Sequence, residues 1–159
     1  MKDIYEFLEA NQVEYERHDH EPVFTVEESK KLSLELEGAS TKNLFLRDKK
    51  GSRHFLVTVP EDKQVDLKAL SGKLNCSRLS FASPERLKTH LGIEPGSVSL
   101  LALANDHENK VEAFVDKDIW QAEAILCHTL VNTSTLVIPL EDMGQFLEKT
   151  GHGVKLIEI

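Results

Sequence analysis

Cysteine is scarce in this chain, and long apolar runs are absent. Cys76 and Cys127 are the only two cysteines. They form no CxxC pair, which argues against a disulfide framework and against a cysteine zinc site. No apolar run approaches the roughly 18 residues that span a bilayer, and residues 1–6 lack the basic-then-apolar order of a signal peptide. We therefore expect a cytoplasmic protein with no part in the membrane.

The common signatures of covalent and metal catalysis are also missing. The sequence contains no GxSxG, GxGxxG or HExxH motif and no Walker loop. His18 and His20 could share one face of a strand, but no third ligand lies near them in the sequence. Cys127 and His128 are adjacent, so on a strand their side chains point to opposite faces and cannot form a catalytic pair. We predict a protein that uses neither a metal nor another cofactor, with Cys127 as a buried thiol.

Acidic residues outnumber basic ones, but their distribution is uneven. The 27 acidic and 19 basic residues give a net charge of −8, which argues against indiscriminate binding to nucleic acid. Residues 42–53 nevertheless carry five basic side chains and one acidic one. Such a patch can guide a polyanion to one face of an acidic body. Residues 48–51 are also typical of a β-hairpin turn, and, taken alone, these charges are more simply explained as those of a charged turn.

Hydrophobic periodicity and turn residues predict one α+β domain over residues 1–159. Helices are predicted at 2–10, from Thr25 to just before Gly38, at 66–74, at 84–91 and at about 140–149. Strands are predicted at 13–17, 43–48, 53–59, 77–81, 100–104, 111–116, 122–127, 133–138 and 154–159. The continuous apolar run 100–104 is typical of a central strand. We expect the strands to form one mixed, strongly curved, barrel-like sheet flanked by helices.

Polar residues gather at the ends of these core strands, where sites are commonly built. Lys42 and Asn43 stand at the entrance of one strand, where a lysine can hold a phosphate or polarise a carbonyl. Lys42 also fits a solvated edge position. The loop around Gly96 offers backbone N–H groups that can approach a ligand closely. His128 and Asn132 follow another strand, and His128 also fits a structural role.

Six segments, in this order and spacing, carry a resemblance to a known family. They are Lys-Asn-Leu-Phe-Leu-Arg-Asp at 42–48, Asp-Leu-Lys-Ala-Leu at 66–70, Leu-Ser-Phe-Ala at 79–82, Leu-Gly-Ile-Glu-Pro-Gly-Ser-Val-Ser at 91–99, Ala-Asn-Asp at 104–106 and His-Thr-Leu-Val-Asn-Thr at 128–133. Across essentially the whole chain the sequence resembles the YbaK/prolyl-tRNA-synthetase-associated editing domains, in particular their free-standing ProX-type branch. Two positions depart from the family pattern: Leu100 replaces a proline four residues after Gly96, and Thr129 replaces the proline after His128.

The resemblance implies hydrolysis of the ester that joins alanine to the 3′-terminal adenosine of mischarged tRNA(Pro). Lys42 would hold the terminal phosphate or the carbonyl, N–H groups of the Gly96 loop would stabilise the oxyanion, and His128 would line the amino-acid pocket. Further substrate contacts are expected from Asn43, Ser97, Val98, Ser99 and Asn132, and contacts to the tRNA acceptor end from Lys49, Lys50 and Arg53, with Lys30 and Lys31 as additions.

Two alternatives stay open at this point. Because Leu100 and Thr129 lie where the amino-acid pocket is expected, the enzyme could remove another small amino acid such as serine. The chain could also be a non-catalytic module that binds tRNA or a synthetase. Besides tRNA, the expected partners are prolyl-tRNA synthetase or an elongation factor, each bound transiently.

Overall fold

Two sheets organise the computed structural model, which describes residues 4–21, 38–128 and 133–159 and, for His128, the backbone alone. One sheet contains, in spatial order, β4 (Ser80–Phe81), β2 (Thr41–Arg47), β3 (His54–Pro60), β5 (Val111–Asp116) and β8 (Leu156–Ile157). The other contains β1 (Glu16–Asp19), β7 (Ser134–Pro139) and β6 (Ala124–His128). The helices are α1 (Ile4–Ala10), α2 (Leu67–Lys73), α3 (Pro84–Leu91) and α4 (Leu140–Lys149), with 3₁₀ helices at Leu100–Asn105 and Ile119–Gln121.

The β2–β3 hairpin forms as the sequence predicts, and Asp48 shapes its turn. One carboxylate oxygen of Asp48 accepts hydrogen bonds from the N–H groups of Ser52 and Arg53, at 2.9 and 3.1 Å. The other accepts from the Ser52 hydroxyl at 3.2 Å. These bonds satisfy the donors of the turn and fix the antiparallel register from Thr41 opposite Pro60 to Arg47 opposite His54.

Helices α2 and α3 begin where capping residues predict. Asp66 accepts from the N–H groups of Lys68 and Ala69 at the start of α2, and Ser83 accepts from a backbone N–H at the start of α3, with proline in the first turn. Gly92 ends α3 at a φ of 67°, in the left-handed region that favours glycine. The predicted helix 84–91 is confirmed to the residue, and the predicted helix 66–74 is shorter by one residue at each end.

The core lies on both faces of β3, which is buried along most of its length. Phe55, Val57 and Val59 face a cluster completed by α2. Leu56 faces a larger cluster to which both sheets and the 3₁₀ helix Leu100–Asn105 contribute. The five-stranded sheet is therefore a layer between two apolar clusters, and the larger cluster joins it to the three-stranded sheet.

The expected single barrel-like sheet is wrong for the described residues. Both sheets are open, with β4 and β8 at the edges of one and β1 and β6 at the edges of the other. An isolated β-bridge between Ala39 and Ile125 connects them. The apolar run 100–104, expected as a central strand, instead lies within the buried 3₁₀ helix, so no strand is available there to close a barrel. A fully buried helix and a central strand share the same continuous apolar pattern.

Most of the remaining helix and strand predictions are confirmed, and one lies outside the described residues. The strand at 111–116 and the helix at 140–149 are confirmed to the residue, and the other described elements differ from prediction only in their ends. The helix predicted between Thr25 and Gly38 lies outside the described residues. Among the helices that the structure describes, none has the length and apolarity to cross a membrane.

Candidate functional site

Lys42 and Asn43 occupy neighbouring positions on β2 but point to opposite faces of the sheet. The pairing partner of Lys42 is Val59, which belongs to the cluster on the α2 side, together with Leu44 on β2. Because side chains alternate along a strand, Lys42 faces that side and Asn43 faces the other. In the described part of the chain β4 pairs with β2 only beyond Leu44. Lys42, half-buried, therefore lies at an edge that its long side chain can reach around.

Asn43 joins β2 to the Gly96 loop. Its side-chain oxygen accepts a 2.6 Å hydrogen bond from the hydroxyl of Thr58, which is completely buried on β3. Its side-chain nitrogen donates to the carbonyl of Val98 at 3.3 Å. Both ends of the amide are thus occupied, and together they hold the loop that contains Gly96 against the start of β2. Asn43 is a positioning residue in this arrangement.

The Gly96 loop is a β-turn with an exposed tip. The Ser97 N–H donates to the Glu94 carbonyl at 3.1 Å, and Gly96 has a φ of +88°, so residues 94–97 form a turn of the type that requires a positive φ at its third position. A Cβ built on Gly96 would meet no atom within 4 Å, which leaves open space beside it. Since the turn uses the Ser97 N–H, the candidate anion donors of this loop are the N–H groups of Gly96 and Val98.

The residues after Gly96 tie the loop to the core. Val98 packs against the larger apolar cluster. Ser99 is fully buried, and its hydroxyl accepts from the Leu101 N–H at 3.1 Å, which caps the 3₁₀ helix. The structure therefore gives Ser99 a supporting position beneath the loop. Ser97, half-buried at the loop, stands nearer to solvent.

Strand β6 brings the third sequence segment to the same end of β2. The Thr41 hydroxyl donates to the Leu126 carbonyl at 3.1 Å, and the Leu126 N–H donates to the Ala39 carbonyl at 3.1 Å. His128 ends β6 two residues later, where its backbone pairs with Thr135. Its side chain, and the whole of Thr129 and Asn132, lie outside the described residues.

Cys127 is the buried thiol that the sequence predicts. Complete burial raises its pKa to about 12, so the thiolate needed for nucleophilic attack is absent at neutral pH. His18 and His20, the two histidines close together in the sequence, have local partners. His18 Nε2 lies 3.0 Å from Glu16, and His20 Nε2 lies 2.8 Å from the Thr135 hydroxyl. The described residues contain no group of three or more metal-binding side chains.

The three basic residues expected to bind tRNA divide into two kinds. Lys49 and Lys50 are exposed on the hairpin turn. Arg53 instead makes two hydrogen bonds to the Glu112 carboxylate, at 2.9 and 3.0 Å. It also donates to the Asn75 carbonyl at 3.0 Å and lies over the ring of Phe55. Its charge is neutralised inside the fold, so its evident role is to join β3, β5 and the residues after α2.

Two other arginines reach the same turn: Arg47, from the segment 42–48, and Arg86, which belongs to none of the sequence motifs. Arg47 donates to the carbonyl of Lys49 at 3.2 Å. Arg86, from α3, donates to the carbonyl of Gly51 at 3.2 Å and to Nε2 of His54 at 3.0 Å. Arg86 and Gly51 are 35 residues apart in the sequence, so no local sequence pattern predicts their contact.

Asn105 and Asp106, which lie in one of the segments behind the resemblance, are committed to the fold. Asn105 donates to the carbonyl of Leu91 at 2.8 Å. Asp106 accepts from the N–H of Val111 and lies 2.8 Å from Nε2 of the buried His152. These contacts fasten the end of the 3₁₀ helix to α3 and to the chain after α4.

Known proteins are similar in sequence to this chain along most of its length. The family described as "Aminoacyl-tRNA editing domain" matches residues 20–146. The chain is 36% identical over 152 residues to the prolyl-tRNA editing protein ProX of Acetoanaerobium sticklandii, which covers 96% of this chain and 93% of that protein. It is 39% identical to the prolyl-tRNA synthetase associated domain-containing protein 1 of Danio rerio, with 95% of this chain and 83% of that protein covered.

Solved structures share the architecture at lower identity. A crystal structure of a hypothetical protein superposes with a TM-score of 0.76 at 19% identity, and 97% of each chain is covered. Another, assigned in its description to trans-editing for prolyl-tRNA synthetase, superposes with a TM-score of 0.71 at 17% identity, covering 99% of this chain and 95% of the other. At these identities the likeness establishes the fold.

Proposed function

The chain belongs to the aminoacyl-tRNA editing domain family, and we propose that it is a trans-editing deacylase that clears alanine from mischarged tRNA(Pro). The family match and the ProX relative support an aminoacyl-tRNA ester as the substrate class. The observation that carries the mechanism is the bridge from Thr58 through Asn43 to Val98, which fixes an exposed glycine turn against the strand that carries Lys42. We take residues 1–159 as one editing domain, acting in the cytoplasm.

The chemistry requires positioning more than a nucleophile. An aminoacyl ester is activated, so holding it in place and stabilising the developing oxyanion suffices for attack by water. The N–H groups of Gly96 and Val98 are the proposed oxyanion donors. Lys42 would reach around the edge of β2, which no described strand pairs with at this point, to the terminal phosphate or the carbonyl. His128 and Asn132 would complete the amino-acid pocket.

The proposed mechanism needs no metal and no protein nucleophile. Cys127, the thiol at the end of β6, is buried and holds its proton at neutral pH. Water would attack directly, assisted by the ribose hydroxyl of the substrate. We accordingly expect deacylation to persist after exhaustive treatment with EDTA, and loss of turnover that Zn²⁺ or Mg²⁺ restores would contradict this part of the proposal.

The biological logic is a second selection step. A synthetase pocket for proline cannot reject the smaller alanine by binding alone, because such differences are worth only ~1–3 kcal/mol. A separate pocket too small for proline can hydrolyse the error. Serine is the second candidate amino acid, favoured by Leu100 and Thr129, which replace two prolines of the family pattern. The synthetase or an elongation factor would meet this enzyme only transiently.

The decisive experiment measures hydrolysis of alanyl-tRNA(Pro), seryl-tRNA and prolyl-tRNA(Pro) by the wild-type protein, Lys42→Ala and Lys68→Ala. Lys68 is an exposed lysine on α2 and controls for loss of charge. We expect alanine release alone, a loss of about a hundred- to a thousandfold in Lys42→Ala, and none in Lys68→Ala. Release of serine in place of alanine would keep the proposed reaction but assign it to seryl-tRNA. Binding of tRNA without turnover of any ester would replace the enzyme by a binding module.

A further inference from the structure

Arg47 of β2 and Arg86 of α3 converge on the turn of the β2–β3 hairpin. Arg47 donates to the carbonyls of Asp48 and Lys49, both at 3.2 Å, and Arg86 donates to the carbonyl of Gly51. A Cβ built on Gly51 would lie 2.8 Å from a terminal nitrogen of Arg86 and 3.1 Å from one of Arg47. The backbone of the turn thus holds the ends of two guanidinium groups against the same point.

Neither charge is neutralised by a carboxylate of the described residues. Within the described ranges, carboxylates form ion pairs with Arg17 and Arg53 and none does so with Arg47 or Arg86. Asp48, the acid next to Arg47 in sequence, is buried and occupied by the N–H groups of its own turn. Glu85, the acid next to Arg86, is exposed to solvent. His54, which accepts a hydrogen bond from Arg86, adds no charge of its own at neutral pH. Two like charges held close without a counter-ion favour the binding of an anion.

We propose that Arg47 and Arg86 form a phosphate site for the backbone of the tRNA acceptor end. Guanidinium groups bind phosphate through paired N–H donors, and each of these arginines is already oriented by a backbone carbonyl. Lys49 and Lys50 flank the site. Arg47 lies five residues beyond Lys42 on the same strand, about 17 Å away, so the phosphate belongs several nucleotides from the ester. In naming the acceptor end the assignment rests on the proposed function.

A nucleic acid fits this site better than an acidic protein segment. A protein with a net charge of −8 repels polyanions over most of its surface, so an isolated cationic turn selects one orientation of a long polyanion. The site also lies along β2 from the Gly96 loop, so a ligand bound at both must be extended between them. A tRNA acceptor end has that shape, and its phosphates repeat along it.

The test is binding of uncharged tRNA(Pro) transcript across a range of salt concentrations. We expect the double variant Arg47→Gln/Arg86→Gln to bind about tenfold or more weakly near physiological salt. The slope of log K against log salt should become shallower by about 0.7–0.9 for each phosphate that the variant no longer binds. The matched control is Lys149→Gln/Lys155→Gln, which removes two exposed charges, one from the end of α4 and one beside β8 at the far edge of the sheet.

A second pair of variants tests the same site without removing charge. Gly51→Ala places a methyl group where the two guanidinium groups meet, at a φ of +71°, whereas Gly153→Ala carries a similar backbone strain, at +70°, with no atom within 4 Å. We expect weaker tRNA binding from the first alone. Wild-type affinity and salt slope in the double arginine variant would overturn the proposal. Suppose that the wild type hydrolysed no ester but bound tRNA, and that these variants bound it more weakly. The phosphate site would then stand, and the proposed enzyme activity would fall.

Discussion

The two ends of strand β2 differ in how they are built, and we propose that they act on the same substrate by different physical means. At its start, Asn43 is held between Thr58 and the carbonyl of Val98, so the region is organised by neutral hydrogen bonds of fixed geometry. At its end, Arg47 and the neighbouring hairpin turn present cations, two of them held by backbone carbonyls. Geometry governs the rate of a reaction, whereas surface charge governs encounter and affinity. Changes at the start of β2 should therefore lower kcat, and changes at its end should raise KM and alter salt dependence.

The strongest test of this division within the loop region is Asn43→Ala. Removing the amide frees the Gly96 loop from β2, and a displacement of about 1 Å at a reacting centre can cost about a hundredfold in rate. We expect a loss of that size in kcat for deacylation, measured under single-turnover conditions, with the affinity for uncharged tRNA unchanged.

Thr58→Val is the informative companion to Asn43→Ala. It removes the hydroxyl that donates to Asn43 but leaves the bond from Asn43 to Val98 in place. The expected result is a stability loss of about 1–3 kcal/mol from the unpaired amide oxygen, with a smaller effect on kcat than Asn43→Ala. If Asn43→Ala weakened tRNA binding and spared kcat, the two ends of β2 would not differ as proposed.

At the hairpin end of β2, the buried His54 should make the stability of the protein depend on pH. Burial, and after it the nearby His90 and Arg86, lower the pKa of His54 to about 4. The unfolded chain protonates histidine near pH 6.5, so this contribution to stability is complete above that pH and is lost as the pH falls towards 4. Between pH 7 and pH 5 the protonation of His54 in the unfolded chain should lower the free energy of unfolding by about 2 kcal/mol. Asp48, whose pKa is lowered mainly by hydrogen bonds from the turn, acts below this window.

Urea unfolding at pH 7 and pH 5 measures this effect directly. His54→Gln keeps an acceptor for Arg86 but cannot take up a proton, so its stability should vary less with pH than that of the wild type. His90, whose pKa is lowered first by burial, contributes in the same direction and remains in the variant. An equal loss of stability in both proteins would show that His54 does not titrate in the way its burial implies.

Local signals were enough to predict most of the elements that carry the site. Ser83 and Pro84 mark the start of α3, and the residues of the hairpin turn mark the break between β2 and β3. The run from Leu100 to Ala104 misled because it is buried on every side, so its apolar pattern has no period to separate a 3₁₀ helix from a strand.

Residues of the proposed site could be identified from the sequence only where the residue type itself indicates a role. Gly96 is such a residue, because its φ of +88° lies in the left-handed region that favours glycine. The role of Arg53 depends on Glu112, 59 residues away, and that of Arg86 on Gly51, 35 residues away. Such pairings arise from the tertiary fold, so Arg53 was predicted as a tRNA contact and Arg86 was passed over.

A smaller effect is expected from Gly96→Ala. Alanine at a φ of +88° costs about 1–2 kcal/mol of backbone strain, although no atom would clash with its Cβ. We expect about a tenfold loss in kcat as the turn shifts its N–H groups. Gly153→Ala, with similar strain in open space, should lose comparable stability and no activity. Equal activity in both variants would remove the Gly96 turn from the proposed oxyanion site.

The smallest effect should come from the two exposed lysines of the hairpin turn. Lys49→Gln/Lys50→Gln removes cations that no described carboxylate binds, and we expect a rise of severalfold in KM for charged tRNA, with a shallower salt dependence and unchanged kcat. Arg53→Gln, which breaks the pairing with Glu112, should instead lower stability by about 1 kcal/mol and leave the salt slope unchanged. Steady-state kinetics at three salt concentrations separate these outcomes. A changed salt slope in Arg53→Gln, with none in the lysine variant, would contradict this expectation. It would mean that tRNA displaces Glu112 and binds the Arg53 charge that is neutralised in the free protein.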